Sequence, residues 1–308
     1  MKHTLCFVGS NGLFSLTALQ TLLEQRINVC QIILAGYAPA PLPSKALLCK
    51  TSPSGKLSNS PFTVLPPAET HATSIPILAA QHHIPIHYVG NDINNFAAWE
   101  TFPHNKPPEF LFIACFPFRL SAALREWPSK KAINLHPSLL PAYRGHNPIF
   151  WQLQNGEPQT GTRFHLLVDA FDTGQVILQK PICFPQGATR NELDSLLAHQ
   201  GTMAFCELIS APRLNPREQD LSTASHHPLS QAKDYTLLTD WAAERAYNFI
   251  RGTHTPIDGY PILLNGQQRH ILSALSYEPE RLLGKAFLPS GADILIQFSP
   301  GVLRAKPV

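Results

Sequence analysis

The chain has 308 residues, 44% apolar and only 15% charged, with a formal charge of +3. That length allows one large domain and one small one, each with its own core. The mild charge, with no dense Lys/Arg run, permits a nucleic-acid partner without demanding one, and no DNA partner is expected.

Apolar runs fall short of the roughly 20 residues a membrane helix needs. The N-terminal run is broken at once by Gly9 and Gly12, unlike a signal peptide. A cytoplasmic protein with no membrane partner is expected. The six cysteines are scattered without a C-x-x-C pair, which suits reduced thiols. Cys6, Cys30 and Cys115 sit in apolar runs, where a thiol behaves as a small hydrophobe.

Short apolar runs alternate with helix-like segments in the first half, the pattern of a parallel sheet with crossover helices. Residues 4–8 read as a strand, 14–24 as an amphipathic helix and 27–35 as a second strand. A Pro- and Ser-rich insertion follows over about 37–74, too long and aperiodic for an ordinary connection. The pattern then predicts a helix at 75–81 and strands at 84–89, 110–116 and 132–135. A helix at 148–154, extended runs at 163–168 and 175–181, and a long helix at 191–210 follow. Residues 211–231 are polar and aperiodic and read as a linker. Beyond it come a helix at 240–251, with Gly252 suited to the C′ position, and extended runs at 260–264 and 270–275. Asn265-Gly266 between those runs is a strong hairpin signal, and 294–298 reads as a further strand. The expected organisation is a doubly wound, mostly parallel α/β domain over 1–210, a linker, and a small β-rich domain over 232–308.

The segment from Ala132 to Gly145, AINLHPSLLPAYRG, carries the clearest chemistry. Strand side chains alternate, so Asn134 and His136 project to one side. They stand at the carboxyl end of a predicted parallel strand, where open α/β sheets bind ligands. An amide donor beside an imidazole can polarise a carbonyl and move a proton. Taken singly, such an Asn is more often a turn former and such a His a satisfied structural residue. The second piece is Asp172-Thr173-Gly174, a turn between extended runs. Asp172 reads either as an Asx-type turn residue or as a carboxylate that orients His136 and stabilises its protonated form. The pairs His82-His83 and His226-His227 lack metal-ligand spacing and read as solvated loop residues, with no metal expected.

The run N-L-H-P-S-L-L-P-A-Y-R-G, followed by D-T-G with Asp172 36 residues after His136, resembles the folate-dependent formyltransferases. That resemblance implies a Rossmann-like catalytic domain and formyl transfer from 10-formyltetrahydrofolate to a primary amine. It implies Asn134, His136 and Asp172 as the catalytic trio. It places the folate against Phe116, Pro117, Phe118, Arg119 and Leu120 and against Val168, Asp169, Ala170 and the loop to Asp172. The turn Gly9-Ser10-Asn11-Gly12 is implied to face the acceptor, and Arg144, Gly145 and His146 are expected on that same side. The glycines read equally well as devices of a tight turn, and Arg144 as a structural ion-pair partner.

The family's tRNA enzymes carry a basic loop after the second strand. Here Gly36–Ser44 is apolar and proline-rich, and the insertion holds only Lys45, Lys50 and Lys56. The C-terminal domain is expected to be a shortened, OB-like one. The acceptor is therefore read as aminoacyl-tRNA, a small amine such as a nucleotide-linked amino sugar, or water. Two other classes fit parts of the sequence. A single D-T-G could serve a homodimeric aspartic protease, which the βαβ pattern of residues 1–150 disfavours. A non-catalytic folate- or RNA-binding module would not require the full Asn/His/Asp set.

Overall fold

The computed structural model describes residues 3–36, 73–89, 106–211 and 213–308. The predicted insertion, its three lysines included, lies almost wholly outside the described residues. The described chain divides into two compact units: Met1–Pro141, Thr162–Lys180 and Asp194–Ser222 form the first, and Ala142–Gly161, Pro181–Leu193 and Thr223–Val308 the second.

A seven-stranded sheet organises the first unit. Its strands are β1 (Thr4–Gly9), β2 (Asn28–Ala35), β3 (Ile86–Val89), β4 (Phe110–Ala114), β5 (Lys131–His136), β7 (Gln159–Leu166) and β8 (Val176–Cys183). They lie in the order β3-β2-β1-β4-β5-β7-β8. The first five run parallel, and β7 is antiparallel to β5. The order reverses between β1 and β4, which makes the carboxyl edge there a topological switch point. Helices α1 (Leu13–Glu24), α2 (Ile75–Gln81) and α3 (Ala122–Glu126) and residues 194–210 of α5 (Arg190–Ser210) complete the unit.

Strand alternation divides the core into two layers. One contains Phe112, Phe164 and Phe205, with ring centroids 4.5 to 6.3 Å apart. Leu135 joins that layer, close enough to α5 that a Cβ on Gly201 would meet its Cδ1 at 2.6 Å. Cys6, Val8, Leu111, Ile113, Leu120, Leu124 and Ala132 pack in the other layer. Cys6 is a small buried hydrophobe as expected, and burial pushes its thiol pKa up. Cys30 and Cys115 are exposed instead, since alternation turns Cys30 outward and Cys115 lies just past the end of β4. Ile133 and Leu135 are fully buried, whereas Asn134, on the opposite face of β5, is only half-buried.

The second unit holds α4 (Pro148–Asn155), α6 (Ala243–Gly252) and a five-stranded antiparallel sheet. Its strands are β10 (Tyr260–Leu264), β11 (Gln267–Glu278), β12 (Phe287–Ser290), β13 (Asp293–Gln297) and β14 (Val302–Pro307). The Asn265-Gly266 turn has φ +50° and +76°, as a two-residue I′ hairpin requires. Gly252 is the last helical residue of α6 and not C′ as expected; Thr253 is the C-cap. Packing is the reason for glycine there, because a Cβ would meet Leu153 Cδ1 at 2.5 Å. The pair β6 (Arg144–Gly145) and β9 (His226–His227) also belongs to this unit. His226-His227 is thus a paired strand, with His227 stacked on Tyr143 at 5.0 Å, rather than the solvated loop expected. No helix among the described residues is long and apolar enough to cross a membrane.

Candidate active site

Asn134 and His136 end β5, beside the carboxyl ends of β4 and β1. On the other side of β5 the antiparallel register sets Asn134 opposite His165 and His136 opposite Arg163. Residues facing each other across such a pair project to one face, so four polar side chains share the face of β5 that bears Asn134. His136 and His165 are both buried, at 5% and 3% exposure.

Asp172 joins them from the loop between β7 and β8. Its backbone is left-handed, with φ +54°, a conformation Asp tolerates better than most residues. Its Oδ1 lies 3.6 Å from His136 Nδ1 and 3.4 Å from His165 Nε2. Asn134 Nδ2 is 3.0 Å from His165 Nε2. One carboxylate oxygen thus lies near two imidazoles, and an amide nitrogen meets the second. Gly174 turns the chain because nothing larger fits: a Cβ there would lie 1.8 Å from the Leu166 carbonyl oxygen. Gln219 clamps the same turn, donating from Nε2 to the carbonyls of Asp172 at 2.8 Å and Gly174 at 2.7 Å.

The residues expected to meet the folate converge as well. Arg119 and Arg125 both pair with Asp169, which ties the segment after β4 to the loop before Asp172. Phe116 and Leu167 pack on one hydrophobic cluster, and Phe116 meets Phe118 edge-on at 5.5 Å. Pro117 and Ala170 are exposed. Val168 and Phe171 expose 45% and 56% of their surface. Leu120 is buried in the core, so its side chain offers nothing to solvent.

The turn Gly9–Gly12 lies at the same carboxyl edge. A Cβ on Gly9 would meet the Phe7 ring at 2.7 Å and Ser15 Oγ at 2.9 Å. Ser15, which no motif marks, accepts from the Ser10 amide and donates to the Ala114 carbonyl at 2.6 Å, joining the turn to β4. Asn11 is exposed, and Gly12 is the N-cap of α1 with φ −88°.

Arg144, Gly145 and His146 belong to the second unit. Arg144 is buried, Gly145 has φ +96° against the His227 carbonyl, and His146 is exposed. Burial and the Glu157 carboxylate push the neighbouring Tyr143 phenol up to about 12.

His165 and Gln219 had no motif to mark them. His165 becomes visible only once β7 is placed antiparallel to β5 in register. Gln219 falls in the stretch read as a linker, which also makes an antiparallel bridge from Arg217 to Val176.

The sheet of Rossmann-like order thus carries an amide, two imidazoles and a carboxylate at its carboxyl edge, groups able to polarise a carbonyl and move a proton. Residues 78–209 match the family described as Formyl transferase. Over 178 residues the chain is 32% identical to the methionyl-tRNA formyltransferase of Moorella thermoacetica, covering 57% of each chain. The match therefore spans little more than half the length of that curated relative. Among solved structures, the sugar 3N-formyl transferase WlaRD shares 14% identity and a TM-score of 0.65, over 100% of this chain and 98% of its own. The methionyl-tRNA formyltransferase of Clostridium thermocellum shares 11% and a TM-score of 0.54, over 99% of each. Residues 78–209 thus form a formyl transferase domain, and the chain is similar to folate-dependent formyltransferases.

Proposed function

We propose that the chain transfers a formyl group from 10-formyltetrahydrofolate to a primary amine, with Asn134, His136 and Asp172 as the catalytic residues. The observation that carries this reading is the gathering of these three side chains on one face at the switch-point edge. The donor supplies an activated formyl carbon, and Phe116, Phe118, Val168 and Phe171 would hold its flat ring. Asn134 donates toward the formyl oxygen as negative charge develops there, and a donor of that kind is worth about 3–4 kcal/mol of barrier. His136, oriented by Asp172, stabilises the same oxyanion in its protonated form. Asp172 helps a water carry the amine proton to the departing nitrogen. No covalent enzyme intermediate is required.

A nucleotide-linked amino sugar is the second acceptor reading, beside aminoacyl-tRNA. It is favoured by the apolar Gly36–Ser44 segment, a poor phosphate clamp. Parallel assays with initiator methionyl-tRNA and with a dTDP-linked amino sugar separate the two. Formylation of the sugar alone supports the second reading, and formylation of the tRNA alone removes it. Failure to bind a formyl-folate would remove both.

A further inference from the structure

We infer that His165 is a positioning residue that fixes which way the Asn134 amide points and leaves Asp172 to His136. This role rests on the formyl-transfer reading, but its geometry stands apart from it.

The tautomer of His165 follows from its surroundings. Nδ1 lies 3.1 Å from the Leu166 carbonyl oxygen. A carbonyl can only accept, so Nδ1 carries the hydrogen and donates it. In the neutral ring Nε2 is then the acceptor. The group that meets it is the Asn134 side chain, 3.0 Å away. Only the amide nitrogen can donate, so this contact holds Asn134 with Nδ2 toward the ring and Oδ1 away. An amide nitrogen bears two hydrogens; one is spent on His165, and the second is the one that can serve an oxyanion.

The same tautomer settles the competition for Asp172. Its Oδ1 stands 3.4 Å from His165 Nε2 and 3.6 Å from His136 Nδ1. With the Nε2 lone pair occupied by Asn134, His165 offers Asp172 no proton, and the carboxylate is left to orient His136. The Nε2–H tautomer would reverse both outcomes: Asp172 would draw the His165 proton, and Asn134 would have to present its oxygen. Burial keeps water from substituting for either partner, since His165 is 3% exposed. Gly174 supports the arrangement from behind, because its close approach keeps the Leu166 carbonyl in place.

Glutamine can set an amide oxygen near the place of Nε2 and accept from Asn134, whereas leucine fills the space without an acceptor. In His165→Leu, kcat is expected to fall about a hundredfold, the usual effect of misplacing a catalytic group by about 1 Å. The Michaelis constant for the folate should change far less than kcat, as a role in positioning the catalytic amide requires. His165→Gln should recover most of the loss. Melting curves on both variants establish that each is folded. Long-range proton–nitrogen NMR on the wild type should show His165 protonated at Nδ1 and not at Nε2. Equal activity in the Gln and Leu variants, or a wild-type Nε2–H tautomer, would overturn the assignment. A wild type that transfers no formyl group would sink the formyl-transfer reading, and the NMR signal would still decide the His165 tautomer.

Discussion

Replacing Gly174 by alanine tests how tightly the D-T-G turn is held. The added Cβ would start 1.8 Å from the Leu166 carbonyl oxygen and 2.9 Å from its carbon, where ordinary contact begins at 3.4 Å. The obstacle is backbone of β7 and not a side-chain tip, so it cannot swing aside. Either the 172–174 loop must lift by more than 1 Å or β7 must bend, and overpacking of this kind costs about 1–3 kcal/mol. At about 2–4 °C per kcal/mol, the melting temperature should drop by roughly 2–12 °C. Asp172 sits two residues away and moves with the loop, so kcat should fall about a hundredfold. Gly12→Ala is the control: the nearest atom to its Cβ is 3.7 Å away and its φ is −88°. That variant should lose less than about 1 kcal/mol, as an N-cap change. Differential scanning calorimetry and a transfer assay on the two variants give the comparison. A Gly174→Ala protein with wild-type melting and turnover would refute the close approach and the account of the turn built on it.

Three further outcomes are expected. His136→Ala should lower kcat by about 10²–10⁴, the usual contribution of a positioned acid–base group, with little change in folate binding measured by fluorescence titration. Gln219→Leu removes the donor to two carbonyls and should cost about 1–3 kcal/mol, read as a lower melting temperature and faster amide exchange at 173–176. Tyr260, fully buried, has its phenol pushed up to about 12 by desolvation. Because the folded pKa lies above the unfolded value of about 10, its contribution is complete below pH 10 and is lost as pH rises toward 12. The loss amounts to about 2–3 kcal/mol. Tyr260→Phe should flatten that part of the stability profile, measured by urea denaturation across the alkaline range.

Much of the fold was legible because its signals are local. The strand ending at Asn134-Leu-His136 and the Asn265-Gly266 hairpin depend on period-2 alternation and on residues that accept positive φ. Asn134, His136 and Asp172 could be nominated together, and the structure brings them together. What escaped depends on long-range register. β7 begins at Gln159, four residues before the extended run was recognised, because Gln159–Thr162 is polar in sequence yet buried from Thr160 on. His165 faces Asn134 only through a pairing between segments 31 residues apart. Gln219 looked like solvent-exposed linker, and Gly252 looked like a helix stop when it is a packing contact.

The most direct test of the central claim is formyl transfer from 10-formyltetrahydrofolate by the wild type and by His136→Ala, with methionyl-tRNA and a dTDP-linked amino sugar as acceptors. The account predicts transfer to one of these amines by the wild type and its near abolition in the variant, with folate binding retained. A variant that transfers as fast as the wild type, or a wild type that binds no formyl-folate, would contradict it.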